Sequence, residues 1–600
     1  MRGIGKAYAL LTAAFAAFLI VIALVGQFGL ADRVIMVLLV LVTLAAYLVI
    51  GIVTRTLSVS EFFVAGRSVP PGVNGLATAA SFVSAAGLIG LVGAFFTDQT
   101  AGFAVAAGWT VGFVLLAVAV APFYRKSGAV TVADFLAVRY GNPLVRILGV
   151  IVLIVVLLPL LAAGVSLASE AIAVALDLPP MSVLIGMAVV TVVGSVFGGM
   201  RAVTLIAGAQ AIVILFGVLV PAIVFSLEQY GVPIPHITLG NAIGDSSWAA
   251  GSPIEALRSR LMPVATLDGF NLFLMMLCLA AGVASLPQVV ARSGTVATMS
   301  AARYSVAWAL LVVGLVAATA PALAVFARLA ILNDVVGVEV IDLPGWVFAF
   351  TSNGALAICG AAVTDVAAIS DACGAAAVVN GLEPGDIAIT GDIIALGFAD
   401  ITTLPYFLTA LLTAAVLAAA LGVAGAAVIG IATSLGHDVY GSLINRRATA
   451  GRRLAVSRVG LLAAAVLATW LAAYHTDAIL ALAFTAPSLA ASGFLPAIVL
   501  GIWWRRTTFW GAIAGMVAGF GTAAGYIGLL FAETIEPLTI AGVTETGIAP
   551  AAAAALGVPV GFAVTAAVSI LTPAPSAARL AVLDAIRRPN PDPLLEDHAV

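Results

Sequence analysis

Residues 61–96 read EFFVAGRSVPPGVNGLATAASFVSAAGLIGLVGAFF, and the reading of this stretch decides the fold. It runs from a charged loop, with Glu61 and Arg67, through Pro70 and Pro71 into a segment of Gly, Ala and Ser with Ser81 and Ser84 near its middle. Small side chains let helix backbones approach closely, so such a segment belongs inside a bundle and not against lipid. The weak helix formers around Ser81 to Gly87 also allow the helix to unwind at half its depth.

The surrounding chain has 600 residues, 63% of them hydrophobic and 9% charged. That balance defines an integral membrane protein. The net charge of −3, spread over loops, gives no reason to expect nucleic acid as a partner. The three cysteines form no Cys/His cluster, so no zinc or iron–sulfur motif is present. No catalytic constellation appears, and an enzyme is not expected.

A bilayer crossing needs about 20 apolar residues. By that measure the segments 7–29, 34–54, 72–97, 103–124, 145–169, 181–200, 202–226, 268–290, 304–327, 404–435, 454–474, 478–503, 508–531 and 551–572 make about 14 transmembrane helices. Segments 181–200 and 202–226 are read as two, parted by the Gly-Gly-Met-Arg turn at 198–201, with Arg201 as the separating residue. With the amino terminus in the cytoplasm, every Lys and Arg except Arg33, Arg258, Arg260 and Arg328 falls on the inner side. This matches the excess of positive charge in cytoplasmic loops, and it places both termini in the cytoplasm of a multi-pass cell-membrane protein. Arg2 and Lys6 before an apolar run also resemble a signal peptide, but the run from Ala7 to Val25 exceeds the usual length of such a region. A retained helix is the reading adopted.

The expected organisation is an extra helix in 1–33, a peripheral helix at 34–54, a core at 72–503, peripheral helices in 504–572 and a tail at 573–600. Two external loops interrupt the core. Loop 227–267 holds Pro233, Pro235, Trp248 and Pro253, and its stretch Ile254 to Arg258 reads as a short interfacial helix. Loop 328–403 is acidic and holds Cys359 and Cys373. In an oxidising compartment these two would form a disulfide worth about 3 kcal/mol; otherwise they are two small apolar residues. Cys278 reads as packing.

Ligands in such bundles sit near the midplane where helices are interrupted, because unwound backbone offers free carbonyls and amides. Segment 72–97 breaks near Ser84, and segment 268–290 breaks between Gly282 and Pro287. The two lie five segments apart, as an inverted repeat of five plus five helices requires. Ser81, Ser84, Gln210, Gly282 and Ser285 are the candidate binding residues along the path of a small solute. The serines equally serve as glue between helices, and Gln210 as a bond to a neighbouring carbonyl. Glu170 reads as interfacial. No ionisable residue lies near the middle of any segment, so coupling through a titrating side chain has no candidate. An ion held by carbonyls and hydroxyls remains open.

The runs GRSVPPGVNGLATAAS, RKSGAVTVADFLAVRYGNP, GGMRAVT, GVASLPQVVAR and SLGHDVYGSL resemble, in order and spacing, the sodium/solute symporter family, and within it the acetate and short monocarboxylate branch. The resemblance runs from about residue 58 to 515. It implies an all-α, leucine-transporter-like fold with a 5+5 inverted-repeat core, extra flanking helices and alternating access. The implied activity is symport of a small organic anion, acetate or a similar monocarboxylate, driven by a sodium or proton gradient. The resemblance also implies a sodium site using the carbonyls of Ala80, Val83 and Ala419, with two hydroxyls where this chain has Gly422 and Val423. Those two supply no side-chain oxygen, and an acidic residue common at Ser81 or Phe82 is absent, so strong sodium coupling is not expected. The implied partners are the solute, the cation, the lipid bilayer and a small two-helix membrane subunit; no cofactor beyond the sodium ion is implied. The alternative is a degenerate, uncoupled paralogue serving as a regulatory or structural subunit.

Overall fold

The computed structural model describes residues 3–247, 254–257, 260–262, 267–374, 377, 380–539, 544 and 546–588. Trp248, Pro253 and Arg258 of the first large loop, and Pro589, Pro591 and Pro593 of the tail, lie outside the described residues.

The chain is almost entirely helical. In order the main helices are α1 (Ile4–Gln27), α2 (Asp32–Val53), α3 (Pro71–Ala80), α4 (Ala85–Thr97), α5 (Gln99–Ser127), α6 (Val132–Tyr140), α7 (Pro143–Leu176), α8 (Pro180–Val196) and α9 (Gly199–Tyr230). They continue as α10 (Gly269–Val283), α11 (Pro287–Arg292), α12 (Met299–Asp334), α13 (Phe407–Ile444), α14 (Ala450–Tyr474), α15 (Thr476–Trp503), α16 (Phe509–Phe531), α17 (Pro550–Leu571) and α18 (Ala577–Arg587). Among the described residues, 12 helices are long and apolar enough to cross a membrane, and the bent pair α3 and α4 raises the number to 13. The remaining expected segment is α8, an apolar helix of 17 residues that is shorter than each of those 12.

Three details differ from the sequence reading. The turn expected at 198–201 is displaced: helices α8 and α9 are parted at Phe197 and Gly198, and Gly199, with φ of +57°, a conformation open to glycine, already opens α9. Arg201 instead lies in the first turn of α9 and pairs with Glu61 at 2.6 Å. A hydrogen bond from Thr56, together with that arginine, holds the Glu61 carboxyl below its ordinary range against the opposing effect of burial. The expected interfacial helix at Ile254 to Arg258 is a strand over Glu255–Leu257, because its backbone finds a partner in the other large loop.

That partner belongs to a three-stranded sheet. Strand β1 (Glu255–Leu257) runs parallel to β3 (Ile387–Thr390), and β2 (Leu356–Ile358) runs antiparallel to β3 on its other side. Cys359 follows β2 directly and is joined to Cys373 at a Cα–Cα distance of 5.5 Å. The short helix Gly391–Leu396 leaves β3 and packs on α4, where Gly391 meets Gly93 backbone to backbone. One end of the bundle therefore carries the sheet, and the opposite end carries most of the arginines.

At the centre, α13 packs against α7 and α9 and is buried along nearly its whole length. Its Ala- and Gly-rich sequence permits this, since small residues let three helices approach without a wide seam. Helix α3 packs on α9 and α12, and α10 packs on α5 and α15.

Candidate functional site

Both helix interruptions expected from the sequence occur, and local chemistry explains each. Pro71 starts α3, whose end is marked by Ser81 folding its hydroxyl back onto the Ala77 carbonyl at 2.7 Å. Three residues after Ser81, Ser84 caps α4 by accepting from the Gly87 amide at 2.9 Å. The two helices bend by 70°. The second interruption falls between Val283 and Pro287, because proline has no N–H to continue the ladder. Ser285 donates to the Ala281 carbonyl at 2.7 Å and is buried there.

A cavity of about 90 Å³ lies between the interruptions. Ser84, the first residues of α4, Phe82, Trp109, Gln288 and Val423 line it, with Leu160, Phe484 and other apolar side chains. Among the described residues, none of the lining side chains is charged. Phe82 is held in place edge-on between Trp109 and Phe113, at centroid distances of 5.2 and 5.1 Å. Met262 closes the sheet side by packing over Gly90. Two polar resources face this apolar space. The Ala85 and Ala86 amides open α4 and have no partner within the helix, and the Gln288 Oε1 is buried with no hydrogen bond.

The sequence candidates divide among three places. Ser84 and Val423 reach the central cavity. Ser81, Ala80 and Gly422 lie behind it at the α3–α13 contact, where a Cβ on Gly422 would collide with the Ala80 carbonyl oxygen and come within 3.3 Å of Gln210 Oε1. Gln210 itself lines a separate cavity of about 30 Å³ with Tyr47, Thr191 and Ser195. The Tyr47 hydroxyl there is buried and unbonded. Val83 lies in the break and Ala419 on α13, and both are buried. Gly282 packs tightly on Pro487 of α15, and Glu170 is exposed near Arg260 at 3.4 Å.

One residue near the break escaped the sequence reading. Arg292, 1% exposed, sends Nη2 to Ser81 Oγ at 2.8 Å and Nη1 to Thr204 Oγ1 at 2.6 Å. Its Cα stands at the end of α11, outside the middle of any span, so an inspection of span centres passes it over. The long side chain carries the charge inward. Gln288 was missed for a different reason: it sits one residue past the proline, at the wall of the cavity, and its sequence neighbours give no sign of that.

A second polar cluster occupies the arginine-rich end. Arg146 bridges Asp134 at 2.7 Å and Asp438 at 2.9 Å, and His437 Nε2 stands 3.5 Å from Asp134. Thr131 and Ser434 donate to Asp438 at 2.6 and 3.0 Å. Burial pushes the Asp134 carboxyl up, but His437 and Arg146, with the Val130 amide, outweigh it and hold the group well below the usual carboxylate range.

Two helices interrupted beside a shared central cavity are the arrangement of a transporter of the leucine-transporter-like class. The family model for the sodium:solute symporter family matches residues 62–344 and 346–519, and the chain belongs to that family. An uncharacterized symporter of Cupriavidus necator is 30% identical, over 89% of this chain and 90% of its own length. A monocarboxylic acid transporter of Corynebacterium glutamicum is 27% identical over 80% of each chain. In fold, the chain is similar to a sodium-coupled sialic acid symporter solved in a substrate-bound, outward-open state, with a TM-score of 0.63 at 14% identity, covering 90% of this chain and 98% of that one. The activity of the family is cation-coupled symport.

Proposed function

We propose that the central cavity carries a short monocarboxylate, acetate or a close relative, across the cell membrane by alternating access. The observation that supports this most is the pairing of unbonded α4 amides with Ser84 in an otherwise apolar, uncharged cavity. A helix amino terminus favours a carboxylate without a full countercharge, and the aromatic and aliphatic walls suit a short carbon chain. The similarity to a monocarboxylic acid transporter agrees with this choice. The arginine-rich end faces the cytoplasm in this reading, as does each terminus.

For the driving ion, the carbonyls of Ala80, Val83 and Ala419 are the proposed sodium ligands, and Gly422, which lies against the Ala80 carbonyl with no room for a side chain, adds no hydroxyl to them. That lack favours a second reading, an uncoupled paralogue. Purified protein in liposomes, given labelled acetate under an imposed sodium gradient and then under an imposed pH gradient, separates the two. Uptake driven by either gradient supports the transporter; absence of uptake for every monocarboxylate tried supports the uncoupled paralogue.

A further inference from the structure

The arginine-rich end holds a cavity of about 420 Å³ that the transport path does not use. It lies between the start of α7 and the final, π-helical turns of α13 at Ser434–Ile444, and Arg146, His437, Ser442, Arg446 and Arg453 supply its polar lining with Asn142. Three observations bear on what it holds. Arg146 is balanced by Asp134 and Asp438, whereas Arg446 and Arg453 make no ion pair among the described residues. The Arg453 Nε is buried and has no hydrogen bond; it packs over Gly441, 3.2 Å from where a Cβ would stand. His437 is 4% exposed, and its Nδ1 is likewise buried without a partner, while its Nε2 faces Asp134.

A buried guanidinium N–H nearly always has an acceptor, so the Arg453 Nε points to a ligand that supplies oxygen, and the His437 Nδ1 joins it as a second donor when the ring carries both protons beside Asp134. The lining adds two uncompensated guanidinium charges, which selects an anion. A metal ion is the poorer fit. Asp134, His437 and Asp438 stand close enough to share one, but Arg146 already bonds both carboxylates and a cation would have to displace it.

We propose that this cavity is a binding site for a phosphate-type oxyanion, held by Arg446, Arg453 and His437 at the arginine-rich mouth of the bundle. Such an anion joins the start of α7 to the end of α13, the helix that packs against the break at Ala80. The oxyanion is either free phosphate or the headgroup of an anionic lipid, since both present the same oxygens.

The test uses the full chain. Thermal unfolding in detergent is followed with inorganic phosphate against chloride at equal ionic strength, and in nanodiscs of phosphatidylcholine with and without phosphatidylglycerol. Wild type is expected to be stabilised in at least one arm, and Arg446→Gln, an exposed residue whose loss leaves the fold intact, to weaken that response about tenfold in midpoint concentration. Arg453→Gln should do the same, and Arg452→Gln, which does not line the cavity, should not. A response to phosphate identifies a soluble ligand; a response to phosphatidylglycerol alone identifies the headgroup. No response of wild type in either arm, or an equal response of wild type and both lining variants, overturns the proposal.

Discussion

Arg292 Nη2 stands 2.8 Å from Ser81 Oγ, so α11 is tied to the end of α3, one half of each interrupted helix, by a buried guanidinium. The same guanidinium reaches Thr204 on α9. A hydrogen bond to a charged group contributes about 1.5–3 kcal/mol, and a buried donor left without its acceptor costs a similar amount. Ser81→Ala is therefore expected to lower stability by about 2 kcal/mol. Arg292→Lys, which cannot span both hydroxyls in one plane, should abolish most uptake while the protein still folds. Thermal unfolding and liposome uptake read these two effects separately.

Gly422→Ser is expected not to restore sodium dependence. Its Cβ would press on the Ala80 carbonyl, and forced overpacking costs about 1–3 kcal/mol. Uptake should fall under every gradient, and Gly422→Ala should behave alike. Val423→Thr, by contrast, places a hydroxyl on the cavity wall with little change of volume. A rise in sodium dependence with Val423→Thr alone would show that the cavity face, and not the Ala80 contact, limits ion binding.

Ser84→Ala removes the cap of α4 and should cost about 1 kcal/mol in stability. Its effect on transport should be larger in KM than in maximal rate if, as proposed, the hydroxyl and the first amides of α4 meet the solute together. Gln288→Leu fills the same wall without a polar atom and should also raise KM. Initial uptake rates across acetate concentrations give both parameters.

Asp134 gives a pH prediction with a defined sign. Its carboxyl titrates lower in the folded protein than in the unfolded chain, so it stabilises the fold fully above the unfolded value of about 4. That stabilisation is lost as pH falls through the lower folded value. Asp134→Asn should unfold more readily at neutral pH and lose much of its extra sensitivity to acid below about pH 4. Unfolding midpoints across a pH series test this.

Much of the architecture was legible because membrane helices announce themselves by length and apolarity. The two breaks were legible too, since Ser84 and Pro287 each terminate a ladder for a local reason. What escaped depended on partners far away in the chain. Glu255 to Leu257 has a sequence compatible with a short helix, and only β3 in the other loop makes it a strand. Arg201 looks like a helix boundary until Glu61 is seen beside it. Arg292 and Gln288 lie next to the second break in sequence, yet their importance comes from what they face, which no spacing rule encodes. The closeness of Gly422 to Ala80 belongs to the same group: the missing hydroxyl was readable, and the filled space behind it was not.

The small sheet draws one strand from the connection between the two five-helix halves and two from within the second half, and through Gly391 it rests on Gly93 of α4. These loops therefore form one plate clamped to α4 of the first half. When α4 swings, the plate has to travel with it or let go. An antibody fragment gripping the plate from the aqueous side would act as a brake, arresting turnover without competing for the solute.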